Sequence, residues 1–236
     1  HFFDTTLGAE KEDVFFSVPR LFFSYGMGVA MNAPLWAGAT AILDDRRPTP
    51  QIVTEIFRRF APTVFAAVPT FYAGLLASGV LTKNDVHRLR RCLSGGEATP
   101  PDVQRRWLEL TGVPTLEVIG STEMLFIYMS NRFDDIRPGT TGKPVPGYQV
   151  RIVDDEGRDI ADEAPGRLLV KGQSVMRRYW NNTEKTAQTL IDGWLDTGDT
   201  FCRDKDGYFW FLGRVDDIML VAGHNIATAE VESALV

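Results

Sequence analysis

Apolar positions in the first part of the chain, residues 1–138, alternate between short continuous runs and runs with helical spacing. The continuous runs predict buried strands at 40–43, 63–68, 89–93 and 115–119. The helical runs, in which apolar residues recur every three or four positions, predict helices at 50–60, 69–77 and 100–110. Strands separated by helices are typical of βαβ units, so we predict an α/β region with a mostly parallel sheet.

The pattern changes in the second part of the chain, where short strands follow one another with turn sequences between them. These strands are predicted at 148–153, 167–170, 200–203 and 208–212. The segments Asp155-Glu156-Gly157 and Lys205-Asp206-Gly207 have the composition of hairpin turns. One helix is predicted at 183–190, with Thr183 as its N-cap. We therefore predict an antiparallel β-barrel subdomain over residues 139–212.

The composition narrows the classes of function. The chain has 236 residues, of which 44% are hydrophobic and 24% charged, and its formal net charge is −6. No run approaches the roughly 18 apolar residues of a transmembrane helix, so none is predicted. Because Lys and Arg are scattered, neither a nucleic acid nor an anionic membrane is favoured as a partner. Cys92 and Cys202 are too far apart to suggest a disulfide framework, which favours a reducing, cytoplasmic location.

Glycine-rich polar loops follow two of the predicted parallel strands. Ser94-Gly95-Gly96-Glu97-Ala98 follows the strand at 89–93, and its glycines would let a flat ligand approach the backbone. Gly120-Ser121-Thr122-Glu123 follows the strand at 115–119 and offers hydroxyl and N–H groups to phosphate oxygens. Glu123 adds an oxygen ligand suited to Mg²⁺. A tight turn and a capped loop remain open as the simpler interpretations of these two segments.

Two later segments concentrate carboxylates and an arginine. Trp194-Leu195-Asp196-Thr197-Gly198-Asp199 could form a turn, or its carboxylates could accept hydrogen bonds from a ribose diol. Gly213-Arg214-Val215-Asp216-Asp217 is a polar break after the last barrel strand, with a strand and then a helix beyond it, and it predicts a hinge. The sequence has no GxxxxGK[ST] phosphate loop, and its three histidines are too dispersed for a zinc site.

In this order and spacing, these segments resemble the core motifs of the acyl-adenylate-forming superfamily, which includes acyl-CoA synthetases, luciferases and peptide-synthetase adenylation domains. The motifs are Gly-Ser-Thr-Glu at 120–123, Trp-Leu-Asp-Thr-Gly-Asp at 194–199 and Gly-Arg-Val-Asp-Asp at 213–217. The resemblance covers essentially the whole chain. Within the superfamily, four segments look like benzoate-CoA ligases and their 4-hydroxybenzoate relatives, and these segments are 21–26, 68–74, 120–125 and 139–148.

The resemblance implies a reaction in two steps. A carboxylate attacks the α-phosphate of MgATP to give an acyl-AMP and pyrophosphate, and the thiol of coenzyme A then displaces AMP. In the first step Glu123 would hold Mg²⁺ and Thr122 would contact the phosphates. Both residues are therefore candidate catalytic residues, and the expected cofactors are ATP, Mg²⁺ and coenzyme A.

The resemblance also implies which residues bind the nucleotide. They are Gly95, Gly96, Glu97, Glu117, Ile119, Thr122, Asp199 and Arg214. The backbone of 95–97 would cover one face of adenine, with Ile119 on the other face. Glu117 stands where the family usually has Asp or Asn, near the adenine amino group. Asp199 would accept hydrogen bonds from both ribose hydroxyls, and Arg214 would also reach the nucleotide.

The acid expected from the resemblance is an aromatic carboxylate. The implied wall of its site consists of Ser24, Tyr25, Gly120, Leu125, Phe126 and Ile127. Phe126 stands where benzoate-CoA ligases commonly have His. The aromatic segment 23–26 has no Asp to hold an ammonium group, which argues against amino acids. Flat apolar walls suit a benzene ring, so we predict benzoate or a simple substituted benzoate.

The domain layout that follows has four parts. They are part of an N-terminal α/β region at 1–138, the barrel subdomain at 139–212, a hinge at 213–217 and the start of a small α+β C-terminal domain at 218–236. By the resemblance, Asp216 would be the pivot of the hinge, and the backbone of Gly223 would line the coenzyme A tunnel.

The ends of the chain suggest an internal fragment of a longer protein. The family's phosphate loop is expected before His1 and its adenylation lysine after Val236, so we expect no adenylate formation by this chain alone. ATP–pyrophosphate exchange by the purified chain would contradict that expectation. Two alternatives stay open: an adenylation module that loads an aryl group onto a carrier protein, and a non-catalytic nucleotide-binding relative.

Overall fold

A mostly parallel sheet forms the first part of the structure. The computed structural model describes residues 2–215 and the backbone of 218–221 and 224–227. The strands of the larger sheet are β1 Val14–Ser17, β2 Thr40–Ile42, β3 Val64–Ala67, β4 Arg91–Gly95, β5 Thr115–Gly120, β6 Ile127–Ser130 and β7 Lys143–Pro144. Their order is β2-β1-β3-β4-β5-β6-β7. Strands β1 to β5 are parallel and β6 and β7 are antiparallel, so the predicted parallel sheet is confirmed.

Helices connect the parallel strands where the apolar spacing predicts them. They are α3 Pro50–Phe60, α4 Pro69–Ser78 and α5 Pro101–Thr111, and they follow the short helices α1 Ser24–Met27 and α2 Ala33–Ala37. Each of the three longer helices has proline in its first turn and a left-handed residue directly after its last turn. Proline suits the first turn because it has no N–H to leave unpaired, and the left-handed residue ends the helix.

The helical segment from Ser24 to Ala37 is absent from the sequence-based prediction. It consists of α1, a π-helical turn at Gly28–Asn32 and α2. Serine, proline and glycines interrupt its apolar pattern, so the sequence does not predict it as a helix. The presence of one of these glycines, Gly28, is explained by packing. A Cβ on Gly28 would lie 2.0 Å from Cε2 of Phe126, so the helix approaches that ring closely only because no side chain intervenes.

The core lies on both faces of the larger sheet. Adjacent strand residues point to opposite faces, so Phe16 and Phe65 pack under helices α3 to α5 while Phe15 and Val64 pack on the other side. On the helical side, the rings of Phe65 and Trp107 stack with centroids 5.9 Å apart. Burial of apolar side chains on both faces explains why these strands are continuous apolar runs in the sequence.

The second sheet is antiparallel, as predicted. Its strands are β8 Gln149–Val153, β9 Gly166–Lys171, β10 Leu190–Ile191, β11 Trp194–Arg203 and β12 Phe209–Arg214. Their order is β10-β11-β9-β8, and β12 pairs with β11. Among the described residues β8 pairs with no strand but β9, so the predicted β-barrel subdomain is an open, antiparallel half-barrel. A third apolar cluster, including Met129, Val170 and Phe201, joins it to the larger sheet.

Three boundaries differ from the prediction. Strand β7 still pairs with β6, so the larger sheet continues past residue 138. The N-cap of helix α6, Thr183–Thr189, is Asn182 rather than Thr183, because the Asn182 side chain accepts from the Lys185 N–H at 3.0 Å. Gly213 and Arg214 belong to β12 rather than to a break.

Beyond β12 the structure describes a short antiparallel pair of strands. They are β13 Ile218–Val221 and β14 His224–Ala227. The helix predicted after them lies outside the described residues. In the described part of the chain, no helix has the length and apolar character needed to cross a membrane.

Candidate active site

The separate sequence motifs meet at one cavity of about 590 Å³ between the two sheets. The loops after β4 and β5 form one side of it and strands β11 and β12 the other. Of the predicted site residues, those that line it are Gly96, Glu97, Glu117, Ile119, Gly120, Glu123, Asp199 and Arg214. The carboxyl ends of parallel strands are where ligands bind in open α/β sheets, and this cavity lies at that edge.

The loop after β4 is fixed by buried polar groups. Thr99 Oγ1 donates to Ser94 Oγ at 2.8 Å, which closes the base of the loop. Glu117, on β5, is 5% exposed, and its carboxylate accepts from the Thr99 N–H at 2.8 Å and from Gln104 Nε2 at 3.0 Å. Burial raises the pKa of Glu117, and the two hydrogen bonds oppose this rise. Gly95 lies in β4 beside the cavity-lining residues and does not itself line the cavity.

The turn after β5 presents Glu123 to the cavity. A Cβ on Gly120 would lie 2.4 Å from the carbonyl oxygen of Phe126, so only glycine lets the turn fold back so tightly. The Tyr179 hydroxyl donates to Glu123 Oε1 at 2.8 Å and holds the carboxylate in place. Thr122 is exposed in the same turn and lies outside the cavity lining.

Two arginines pair with the two carboxylates of the β11 motif. Arg214 Nη1 lies 3.0 Å from Asp199 Oδ1, and Arg167 forms an ion pair with Asp196. Asp199 is 8% exposed, and burial raises its pKa while Arg214 opposes the rise. A carboxylate has about four acceptor positions, so Asp199 keeps acceptor capacity beyond the bond to Arg214. The motif predicted either as a turn or as a ribose contact is therefore strand, with its carboxylates at the cavity.

The predicted aryl wall lies apart from the cavity lining except at Gly120. Tyr25, Phe126, Ser24, Leu125 and Ile127 do not line the cavity. Tyr25 nevertheless lies close to the end of β4, because its Cζ is 3.6 Å from the position that a Cβ on Gly95 would occupy. Phe126 is 8% exposed, and its ring centroid is 5.5 Å from that of Phe2.

The donor set is suited to Mg²⁺ bound together with a phosphate. In the described ranges, no three or more His, Cys, Asp or Glu side chains gather into a metal cluster. Mg²⁺ commonly binds one or two carboxylates together with substrate phosphates, so the single carboxylate of Glu123 on the cavity wall fits this mode. Asp216 and Gly223 lie outside the described residues.

The structure adds cavity residues that the sequence analysis did not single out. They include Thr141, Arg167, Tyr179, Lys185 and Gln188. One feature of the sequence could have pointed to Tyr179. It lies between Arg178 and Trp180 in a polar segment, where two adjacent aromatic residues are not part of an apolar strand or helix pattern. Its role depends on contact with Glu123, which is distant in sequence.

Comparisons with known proteins find aryl-CoA ligases among the relatives of this chain. The chain is 47% identical to the benzoate–CoA ligase of Thauera aromatica, over 98% of this chain and 44% of that protein. It is 41% identical to the 4-hydroxybenzoate–CoA/benzoate–CoA ligase of Rhodopseudomonas palustris, over 97% of this chain and 43% of that protein. The chain thus spans less than half the length of these relatives.

Solved structures give the same relationship. The fold matches a benzoate CoA ligase from Burkholderia xenovorans LB400 with a TM-score of 0.93 at 41% identity, over 99% of this chain and 47% of that one. It matches the anthranilate CoA ligase AuaEII in complex with anthranoyl-AMP with a TM-score of 0.94 at 39% identity, over 99% and 45%. The model of the family described as AMP-binding enzyme matches residues 1–180. The chain therefore belongs to the family of AMP-binding enzymes.

Proposed function

We propose that this chain is part of an ATP-dependent aryl-CoA ligase that forms an aryl-adenylate and then the coenzyme A thioester. The observation that carries the proposal is the single cavity at which Gly96, Glu123, Asp199 and Arg214 meet. Similarity to ligases named for benzoate, 4-hydroxybenzoate and anthranilate supports an aryl acid as the substrate class.

The nucleotide would lie across the cavity between the two sheets. The exposed backbone of Gly96 and Glu97 would face adenine on one side, with Ile119 on the other, because a flat base needs close, unobstructed walls. Asp199, held by Arg214 at 3.0 Å, would accept from the ribose hydroxyls. Charge-assisted hydrogen bonds of this kind are about twice as strong as neutral ones, so Asp199 would supply much of the ribose affinity.

Adenylation brings two anions together, so charge must be offset as they approach. The acid's oxygen attacks the α-phosphate, and the bond to the leaving pyrophosphate breaks. Mg²⁺ bound at the site would supply Lewis-acid stabilisation of the phosphate charge. Glu123 would hold that ion, and Tyr179 would keep the Glu123 carboxylate oriented through their 2.8 Å hydrogen bond. Thr122, exposed in the same turn, would donate its hydroxyl to the phosphates.

The acid would be benzoate or a simple substituted benzoate. Gly120 belongs both to the predicted aryl wall and to the cavity lining, so it joins the two sites. Tyr25, half-buried beside Gly95, would supply a flat wall near the reacting carboxylate. Buried Phe126 would make the far wall apolar, which favours an unsubstituted ring over one with a polar group that needs a partner.

The thioester step would use parts of the chain beyond β12. The thiol sulfur of coenzyme A attacks the acyl carbonyl, and AMP leaves. We include Asp216 as the pivot and Gly223 on the coenzyme A path in this proposal, together with a cytoplasmic location and no nucleic-acid or membrane partner.

The test is a substrate and acceptor panel with the whole protein. We expect kcat/KM for ATP–pyrophosphate exchange to be highest for benzoate or 4-hydroxybenzoate among those two acids, acetate and hexanoate. We also expect AMP release to require coenzyme A. Preference for a short aliphatic acid would overturn the substrate class, and transfer to a carrier protein in place of coenzyme A would overturn the acceptor. AMP binding without exchange for any acid would identify a non-catalytic relative.

A further inference from the structure

Glu117 uses both of its carboxylate oxygens within the protein. Oε1 accepts from the Thr99 backbone N–H at 2.8 Å and Oε2 accepts from Gln104 Nε2 at 3.0 Å. The carboxylate therefore joins β5 to the first turn of helix α5 and to Thr99, two residues before that helix. A buried carboxylate is costly unless hydrogen bonds compensate for the water it loses, so these two bonds are what make its position tolerable.

The segment between β4 and helix α5 is fixed at its two ends and exposed between them. We call residues 95–98 the β4 loop. Gly96, Glu97 and Ala98 are exposed, while Ser94 and Thr99 on either side are buried and hydrogen-bonded to each other at 2.8 Å. At the Thr99 end of this segment, the Glu117 carboxylate accepts a hydrogen bond from the Thr99 N–H. The conformation of the exposed backbone thus depends on groups at its base.

We propose that Glu117 is a positioning residue that holds the β4 loop in its nucleotide-binding conformation, rather than a ligand of the adenine amino group. This inference rests on the proposed function, in which the backbone of Gly96 and Glu97 covers the base. Glu117 would therefore affect nucleotide binding indirectly, by fixing Thr99 and with it the conformation of the β4 loop.

Removal of the carboxylate has a defined consequence. Glu117→Ala leaves the Thr99 N–H and the Gln104 amide without these acceptors, and unsatisfied buried donors are expensive. The loop then samples other conformations and must be ordered when a nucleotide binds. We expect AMP affinity to fall by about tenfold or more, because the free energy needed to order the loop reduces the free energy gained on binding. Glu117→Gln keeps an oxygen for Thr99 and should lose much less.

The first measurement is hydrogen exchange at the Thr99 amide without nucleotide. We expect much faster exchange in Glu117→Ala than in the unsubstituted protein, and near-normal exchange in Glu117→Gln. Glu109→Ala is the matched control, because Glu109 is an exposed glutamate of helix α5 paired with Arg105. Unchanged Thr99 exchange in Glu117→Ala would overturn the proposal. If that variant does not fold, Gln104→Ala, which removes one bond to Glu117, takes its place with a smaller increase expected.

The second measurement compares AMP with purine riboside monophosphate, which lacks the 6-amino group. A positioning role predicts that Glu117→Ala weakens both ligands by the same factor. If Glu117 bound the amino group, the variant would lose affinity for AMP and little for the analogue, and the proposal would fall. If the unsubstituted whole protein binds neither ligand, the proposed function fails, while Thr99 exchange still decides whether Glu117 holds the loop.

Discussion

The buried carboxylate of Asp13 ties together the amino-terminal ends of three parallel strands. Asp13 is 2% exposed and directly precedes β1. Its Oδ1 accepts from Thr63 Oγ1 at 2.6 Å, just before β3, and from Arg90 Nε at 2.6 Å, just before β4. Its Oδ2 accepts from the Glu10 N–H at 2.8 Å and from the Arg90 guanidinium. This network lies at the opposite edge of the sheet from the cavity. It fixes the amino-terminal ends of strands β1, β3 and β4 relative to one another.

The magnitude of Asp13→Ala follows from what it leaves behind. Arg90 keeps its bond to the Gly8 carbonyl oxygen at 2.7 Å, but it loses its buried counter-charge. Breaking one partner out of a buried pair costs about 3–5 kcal/mol. The Arg90 side chain is 24% exposed, so water can compensate in part and we expect about 3 kcal/mol. Asp13→Asn keeps one acceptor oxygen, and we expect about 2 kcal/mol.

The same network makes stability depend on pH. Burial would raise the pKa of Asp13, but hydrogen bonds from Arg90 and Thr63 outweigh it and hold the pKa below its usual 3.8. Because the folded pKa lies below the unfolded one, the stabilisation is complete above about pH 3.8 and is lost as pH falls through the folded pKa. The stability difference between the unsubstituted protein and Asp13→Ala should therefore shrink in acid.

The assay is urea unfolding at pH 7 and at a series of lower pH values. Asp102→Ala is the control, since Asp102 is an exposed partner of Arg105 and should change stability by no more than about 0.5 kcal/mol. A loss below about 1 kcal/mol for Asp13→Ala at pH 7 would refute the assigned magnitude. A stability difference that grows as the pH falls would refute the linkage.

Three further predictions concern the cavity. Gly120→Ala places a Cβ 2.4 Å from a backbone carbonyl oxygen and should lower the unfolding free energy by about 2 kcal/mol or more, whereas Gly74→Ala, with nothing within 4 Å, should be neutral or stabilising in the same urea titration. Asp199→Asn should weaken AMP binding by about tenfold or more in calorimetry, and an unchanged Kd would contradict the ribose role. Tyr179→Phe removes the 2.8 Å bond to Glu123 and should raise the Mg²⁺ concentration needed for half-maximal pyrophosphate exchange by the whole protein, while unchanged Mg²⁺ dependence would argue against it.

Local pattern was sufficient for the elements that carry their own signals. Helix α3 has the predicted bounds, because apolar spacing marks its buried face and Pro50 suits its first turn. Strands β3, β4 and β5 were recognisable because most of their residues are buried on both faces, whereas strand β1 is absent from the sequence-based prediction. The glycine motifs also predicted that their loops would meet, since loops at the carboxyl ends of adjacent parallel strands must lie at one edge of a sheet.

Elements whose form depends on a distant neighbour were beyond the reach of local pattern. The helical segment from Ser24 to Ala37 contains glycine because Phe126, about a hundred residues later, needs the space. The motif at 194–199 is strand because β9 and β10 pair with its first residues and β12 pairs with Asp199, although its composition resembles a turn.

The sequence by itself determined which residues are available for binding and on which kind of element most of them lie. Only the tertiary structure decided their partners. Tyr179 donates a hydrogen bond to Glu123, and Arg214 forms an ion pair with Asp199. Glu117 accepts a hydrogen bond from Thr99 at the base of the β4 loop. The physical reason is that propensity and periodicity act within a few residues of the chain. Hydrogen bonds, ion pairs and close contacts depend instead on distance in space, which is set only when the two sheets pack together.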